Sequence, residues 1–536
     1  MKIRFFVLLG VAMLVFSACN KDNSQGVDSN GNKAYVAFSV AMPSNPASRA
    51  DAANVNDANH KDNYVGTVAE QAINAVRVVL FKTDGSVKYA FNLAATTDGS
   101  SPVSGVDVVG TPTVSNFVSK GREIEIANYE LAVFINPTAA IVTATAEGSG
   151  TKIATMRAVE TTPAALTSAG ILMSNADGFT RVLEAGFSAN INASMAESSP
   201  IAVRVDRAVA KLFVGIGTAL VPPANGATLG TDIAWLPNVT NKKTFWVREL
   251  APIVGGVTME TATTPRYDRY AKDPNFAAGV KDLSVADLKK EFDYATNADN
   301  GKFKAIGYAD ANGVYVLENT MEAAGQYTQV TTTAIVRLNY APKDIALNES
   351  WFNYNGMVFS VAELKASLQQ AVEEAISGDM TTEIAGCPAG FKSNILGFYQ
   401  DLAEIPDFTS IASYDGALID AKMATGAFQI KWTGSYLNYY HLGVNYYDVL
   451  IRHFDDTQES TNMAYGRYGI VRNNIYKMDL ETVLGPGRPT IVPEPEPGDE
   501  PGPGPIPGPD DRPEAFISAR VSVMPWYVRV QSVNLQ

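Results

Sequence analysis

Between residues 485 and 513 eleven of 29 positions are proline, interleaved with glycine and acidic side chains. Such a stretch cannot build a core and favours extended polyproline II. At a rise of about 3.1 Å per residue it spans on the order of 90 Å when fully extended. It divides the chain: whatever packs into a globule must precede it, and whatever follows is carried on a stiff arm. Residues 515–535 nevertheless resume strand patterning. Ile517, Ala519, Val521 and Val523 share one face, and beyond Pro525 the residues Trp526, Val528 and Val530 share another. A strand needs a sheet, and no further domain stands behind this one. The pattern therefore predicts that residues 514–536 are held away from their own domain and complete a sheet elsewhere.

The opposite end is also set apart. Lys2 and Arg4 precede an almost unbroken apolar run over 5–16, followed by Ser17-Ala18-Cys19. This is a secretory signal, too short for a stable membrane span. Small residues before a cysteine resemble the lipobox of bacterial lipoproteins, which implies removal of residues 1–18 and acylation of Cys19; Phe16 stands where that motif prefers leucine. Residues 20–32 are polar and form a tether. No later segment is apolar enough to span a bilayer, so the expected membrane attachment is through lipid only.

After the tether, Ala34, Val36, Phe38, Val40 and Met42 alternate with smaller or more polar residues until Pro43, the pattern of a half-buried strand. Residues 43–63 are rich in Pro, Ser, Ala, Asn and Asp and predict an exposed loop, the preferred kind of site for proteolytic nicking. A single arginine, Arg49, lies in its first half.

Strand signals dominate the body. Runs over 75–81 and 87–93 flank Thr83-Asp84-Gly85-Ser86, a hairpin signature, and further runs cover 123–127, 129–135, 201–205, 313–317, 333–340, 428–432, 446–451 and 475–480. Helical period is confined to 284–294, which opens on a capping signal at Ser284, and to 360–376, with Val361, Leu364, Leu368, Val372 and Ile376 on one stripe. Many short strands with few helices predict an all-β protein of β-sandwich domains. The loop 221–226 suggests a boundary, giving one domain over 50–222 and another over 223–484.

Charge and motifs narrow the function. The chain carries −14, and residues 1–49 hold five basic and two acidic residues, so the remainder carries −17. Polyanions are repelled, which argues against nucleic-acid partners. Only His60, His441 and His453 are present, none with a second ligand at zinc-motif spacing. Gly215-Ile-Gly217 lacks a third glycine, and residues 297–301 resemble a calcium loop with Thr296 and Ala298 where ligands should stand, so a turn is the better account. No catalytic constellation, metal site or cofactor is expected. The free Cys387 is read as a small half-buried residue, and the aromatics over 436–441 and 446–447 as core.

These features in this order resemble the Bacteroidetes fimbrillin superfamily, and within it the Mfa-type shaft subunits of minor fimbriae. The marks are Cys19, Arg49, Val205-Asp-Arg-Ala-Val-Ala210, Leu317-Glu-Asn-Thr320, Val471-Arg-Asn-Asn-Ile-Tyr476, the Pro-rich tract and Val521-Ser-Val-Met-Pro-Trp-Tyr-Val528. The resemblance implies two transthyretin-like Greek-key sandwiches. It also implies an outer-membrane lipoprotein precursor cut between Arg49 and Ala50 by an arginine-specific protease. Loss of the strand bearing Val36, Phe38, Val40 and Met42 would open a groove. The donor strand of another subunit, with Ile517, Val521, Val523, Trp526, Val528 and Val530, would fill it. The implied partners are identical subunits, tip and anchor subunits, and host or bacterial surface receptors. The implied setting is a cell-surface fimbria serving adhesion, co-aggregation and biofilm formation. A surface glycan- or protein-binding lipoprotein that does not polymerise is the alternative.

Overall fold

The computed structural model describes residues 32–42, 64–93, 108–109, 116–150, 153, 159–252, 269–451, 453, 468–491 and 517–527. The fold is mostly β-sheet with a few helices. The first large sheet has eight strands. Its order runs Val87–Leu93, Val76–Phe81, Tyr129–Ile135, Met173–Asn175, Ile201–Arg207, Phe38–Ala41 and Asn116–Val118, with Thr180–Val182 pairing to the side of Tyr129–Ile135. Its inner face follows from alternation: Val76, Val78, Leu80, Leu131, Val133 and Ile135 enter one core together with Ala34, Val36, Phe38, Val40 and Met42. The hairpin expected around residue 85 is present, with Gly85 at φ 81°, a conformation that glycine adopts without steric cost.

The chain passes from this sheet to the next at Ala208–Val209, between the strands Ile201–Arg207 and Ala210–Val221. That is earlier than the 221–226 loop where sequence suggests a boundary. The reason is pairing: Ala210–Val221 lies in the second sheet, parallel to Asn474–Val483. This five-stranded sheet runs Val314–Val316, Ala210–Val221, Asn474–Val483, Ile517–Tyr527, Tyr64–Val65. A third sheet centres on Thr333–Ala341, flanked by Ala234–Asn238 and Val444–Leu450. Leu212, Val214, Trp235, Val336, Leu338, Tyr476 and Met478 are buried together in the core that these strands share. Gly215 is explained here: a Cβ would meet the ring of Tyr308 at 2.5 Å, and the Tyr308 hydroxyl donates to Asp479.

Residues 351–440 add a further layer. A four-stranded sheet, in the order Met357–Ser360, Trp351–Tyr354, Ser435–Tyr440, Phe428–Trp432, is covered on one face by the helices Val361–Ser377 and Phe391–Ala403. The first helix begins on a capping box in which Ser360 and Glu363 satisfy each other's backbone N–H, and it ends at the left-handed Gly378. The expected stripe holds for Leu364, Leu368 and Val372, which are buried, whereas Ile376 is exposed. The second expected helix is Val285–Glu291, with the Ser284 hydroxyl accepting from Asp287 N–H. Residues 297–302 form a 3₁₀ turn in which Asp299 caps Thr296, so this carboxylate is committed to the backbone. Among the described residues no helix is long and apolar enough to cross a membrane.

Candidate functional site

The segment predicted as a half-buried strand is an inner member of the first sheet. It folds as Lys33–Val36 and Phe38–Ala41, offset at Ala37. The first piece pairs antiparallel with Arg122–Glu125. The second lies parallel to Ile201–Arg207, with Phe38 opposite Ile201, and antiparallel to Asn116–Val118 on its other side. Further ties fix it: Phe38 N–H donates to Ser119 Oγ at 2.9 Å, Ser119 N–H donates to the Phe38 carbonyl, and Tyr35 N–H donates to the Asn190 carbonyl. Val36, Phe38, Val40 and Met42 are at most 3% exposed. At about 1.5–3 kcal/mol per large side chain, their burial contributes roughly 6–12 kcal/mol gross, partly offset by the entropy of ordering the segment. Removing it would leave two strands with unpaired inner edges and a core with one wall missing.

The C-terminal segment departs from expectation. Residues 517–527 are not held away from their own domain. Ile517–Tyr527 pairs antiparallel with Asn474–Val483, from Ile517 opposite Val483 to Pro525 opposite Asn474. On its other side Tyr64–Val65 lies parallel to Trp526–Tyr527. The alternating pattern signalled a strand correctly. What it could not signal was a chain that folds back, since the tract before it leaves ample length for return. Of the residues singled out in the tail, Ile517, Val521, Val523 and Trp526 belong to this strand; Val528 and Val530, like Cys19, Arg49 and Ala50, lie outside the described residues.

Three short motifs scattered through the sequence meet where the two large sheets join. Arg248 Nη1 donates to Asp206 Oδ2 at 2.7 Å, with both side chains buried. Asn473 Nδ2 donates to the other Asp206 oxygen, and Asn473 N–H donates to the Val209 carbonyl. Asn473 has φ 63°, a left-handed conformation that Asn tolerates better than most residues. Arg472 Nε donates to Glu318 Oε2 at 3.0 Å, and its Nη2 donates to Thr244 Oγ1 and the Phe245 carbonyl. Asn319 ties back to the Val330 carbonyl and Thr332. Beside them Asp273 accepts from Asn241, Asn275 N–H and Thr320 N–H.

Burial governs the charges in this knot. It pushes the Asp206 carboxyl up despite Arg248. It lowers the Arg207 guanidinium to about 10 and raises the Asp273 carboxyl to about 8. A second buried cluster adjoins it. Lys211 Nζ donates to Glu70 Oε1 at 2.8 Å and to Asp310, and Tyr315 Oη donates to the same Glu70 oxygen. Glu70 sits in the short helix Val68–Gln71, just after the strand Tyr64–Val65. Sequence reasoning did not single out Lys211, Arg248 or Asp273, because a buried charge is recognisable only once its partner is placed beside it.

The remaining titratable candidates have structural environments. His453 is buried with Nδ1 2.7 Å from Tyr476 Oη, and His441 Nδ1 lies 3.1 Å from Tyr439 Oη. Cys387 is half-buried and free, and burial pushes its thiol up. Tyr439, Tyr440, Tyr446 and Tyr447 are core residues, as their pattern suggested; Tyr436 is 43% exposed.

Comparison with known proteins adds a family match. Residues 438–532 match the family described as major fimbrial subunit protein type IV, fimbrillin, C-terminal. No curated protein matches this chain. Among solved structures, a fimbrilin (FimA) from Porphyromonas gingivalis W83 aligns at 14% identity over 92% of this chain and 99% of its own, with a TM-score of 0.36. The tip fimbrial protein Mfa3 from Porphyromonas gingivalis aligns at 11% identity over 92% of this chain and 100% of its own, with a TM-score of 0.33.

Proposed function

We propose, from the match of residues 438–532 to the fimbrillin C-terminal family, that this chain is a member of the Bacteroidetes fimbrillin superfamily and a structural shaft subunit of a cell-surface fimbria. It is exported as a precursor lipidated at Cys19 and cut after Arg49. It then polymerises by accepting the C-terminal strand of another copy, with tip and anchor subunits at the fibre ends and adhesion as its service. No catalysis is required of it.

The observation that carries this reading is the position of residues 33–42. A segment that precedes an arginine-bearing loop supplies an inner strand and five core side chains to the first sheet. Cutting the loop would free that segment, and its departure would expose a pre-formed slot of the length and apolar character that another strand needs. The tail is suited to fill it through its alternating residues Ile517, Val521 and Val523. In the monomer that tail occupies its own second sheet, so donation requires it to leave Asn474–Val483.

The test is to treat purified precursor with an arginine-specific protease and follow both the new N-terminus and the oligomeric state. The expected outcome is an N-terminus at Ala50 and a ladder of heat-labile oligomers, with Arg49→Ala remaining an intact monomer. A protein cut at Ala50 that stays monomeric under all conditions would refute strand exchange. An Arg49→Ala variant that polymerises as well as wild type would refute that cut as the trigger.

A further inference from the structure

The four-stranded sheet that carries helices on one face buries part of its other face, at Trp351 and Tyr440, in the neighbouring core, and the rest of that face forms one wall of a groove of about 800 Å³. The volume lies within the range of small-molecule sites. From the sheet come Asn353, Gln429, Lys431, Tyr436 and Asn438; Lys343 and residues 484–488 stand across from them. Three amides line up across three strands, since Asn353 and Gln429 are both register partners of Asn438. Gln429 Nε2 donates to Asn438 Oδ1 at 2.7 Å, which fixes the orientation of both. Beneath them Tyr440 stacks on Trp351 at 3.9 Å between centroids and donates its hydroxyl to the Gly487 carbonyl. Tyr436 projects at the lip, 43% exposed, with Lys431 as its register partner.

Several ligand classes are poorly served by this groove. Its wall is the face of a sheet, which meets a ligand with side chains and not with a strand edge, so an extended peptide lying across it does not join as a strand. Its polar amides and lysines interrupt any apolar stripe that an amphipathic helix would need. What it offers is the exposed Tyr436 ring for stacking and the exposed Gln429 amide, oriented by its bond to Asn438; Asn353 and Asn438 are buried and shape the floor, the Asn353 Oδ1 accepting from Gly356 N–H. Charge adds a preference. In a protein of net charge −14 no acidic residue lines the groove among those described, while Lys343 and Lys431 do, and neither has an ion-pair partner among the described residues. Arg488, in contrast, is spent on Asp448 at 2.7 Å.

We infer that this groove binds a saccharide bearing a carboxylate, with a pyranose ring stacked on Tyr436, a hydroxyl on the exposed amide of Gln429, and the carboxylate held by Lys431. The site is independent of strand exchange: Tyr436→Ala protein should assemble as wild type does, so failure of this inference leaves the assembly reading standing.

The test uses mature protein with 3′-sialyllactose and its neutral counterpart lactose, followed by saturation-transfer NMR and titration at low and high salt. Sialyllactose is expected to bind more tightly than lactose, with the difference shrinking as salt rises. Tyr436→Ala should weaken binding by about tenfold, and Lys431→Gln should erase the preference for the acidic sugar, both with unchanged thermal unfolding because the two side chains are exposed. Absence of binding by either sugar at millimolar concentration, or binding that survives Tyr436→Ala, would overturn the inference. So would a synthetic peptide of residues 492–513 that binds in a Tyr436-dependent way while neither sugar does; that result would give the groove to the acidic Pro-rich tract.

Discussion

The two terminal strands of this protein are built from the same kind of residues and are held in different ways. Both residues 34–43 and 515–525 alternate and end in Met-Pro. Phe38–Ala41 lies between Ile201–Arg207 and Asn116–Val118, and its leading piece is paired again with Arg122–Glu125. Among the described residues, Ile517–Tyr527 has a long partner on one side only; on the other, Tyr64–Val65 pairs with just its last two residues. A strand gripped on both sides and rooted in a core can leave only if the chain is cut and the sheet opens. One with a largely open edge can peel away without disturbing its neighbour. In the proposed assembly, this difference is the reason that the N-terminal strand needs a cut to leave while the C-terminal one needs none to become available.

The most severe way to test that contrast is to delete residues 514–536. The precursor should remain folded, because only one edge of the second sheet is uncovered, yet after cleavage at Arg49 no fibres should be visible by electron microscopy. Long fibres from that protein would mean that the tail is not the donor. Next in size is Phe38→Ala, expected to cost the uncut precursor about 3–5 kcal/mol in urea unfolding, the usual range for emptying a buried phenylalanine site. The same substitution should have no effect on fibres already assembled, since in the proposed assembly residue 38 leaves with the cut segment. Equal effects before and after would break the comparison.

A smaller difference should appear in hydrogen exchange of the uncut precursor. Amides at 38–40 are expected to exchange only with global unfolding, whereas those over 517–525 open locally, at a free energy lower by about 2 kcal/mol. Matching protection at both ends would show that the tail is as firmly held as the leading strand. The smallest effect concerns what the two ends share, the polar knot between their sheets. With Asp273 raised to about 8 by burial, the folded state holds a proton that the unfolded chain has already released above the ordinary carboxylate range. Stability is therefore highest at low pH with respect to this group and declines as pH rises towards 8, by about 1 kcal/mol between pH 6 and 7. Asp273→Asn should flatten that slope and leave the contrast between the two ends intact.

Much of the fold was legible one segment at a time. The strands Val87–Leu93, Tyr129–Ile135 and Phe428–Trp432 fall where alternation and turn residues put them, and Ser360 starts its helix as its capping pattern requires. The helix Phe391–Ala403 was not legible. Its buried residues include Phe391, Ile395, Phe398 and Tyr399, which favour strands in isolation, and Gly397 interrupts it. Packing against the helix Val361–Ser377 and the sheet beneath overrides that local preference. Tyr436 was grouped with its core neighbours because an aromatic on a strand carries no mark of which face it takes until the sheet is assembled.

By itself the sequence determined which stretches become strands, that both ends carry one, and which side of the leading strand is apolar, because these depend on period and on the nearest few residues. Only the tertiary structure decided that Asp206, Glu318 and Arg472 meet in one knot, that the leading strand is gripped on both sides, and that the tail returns to its own sheet. Those are pairings between residues up to hundreds of positions apart. Pairings at that range depend on which edges and charges other segments have left unsatisfied, and no local pattern carries that information.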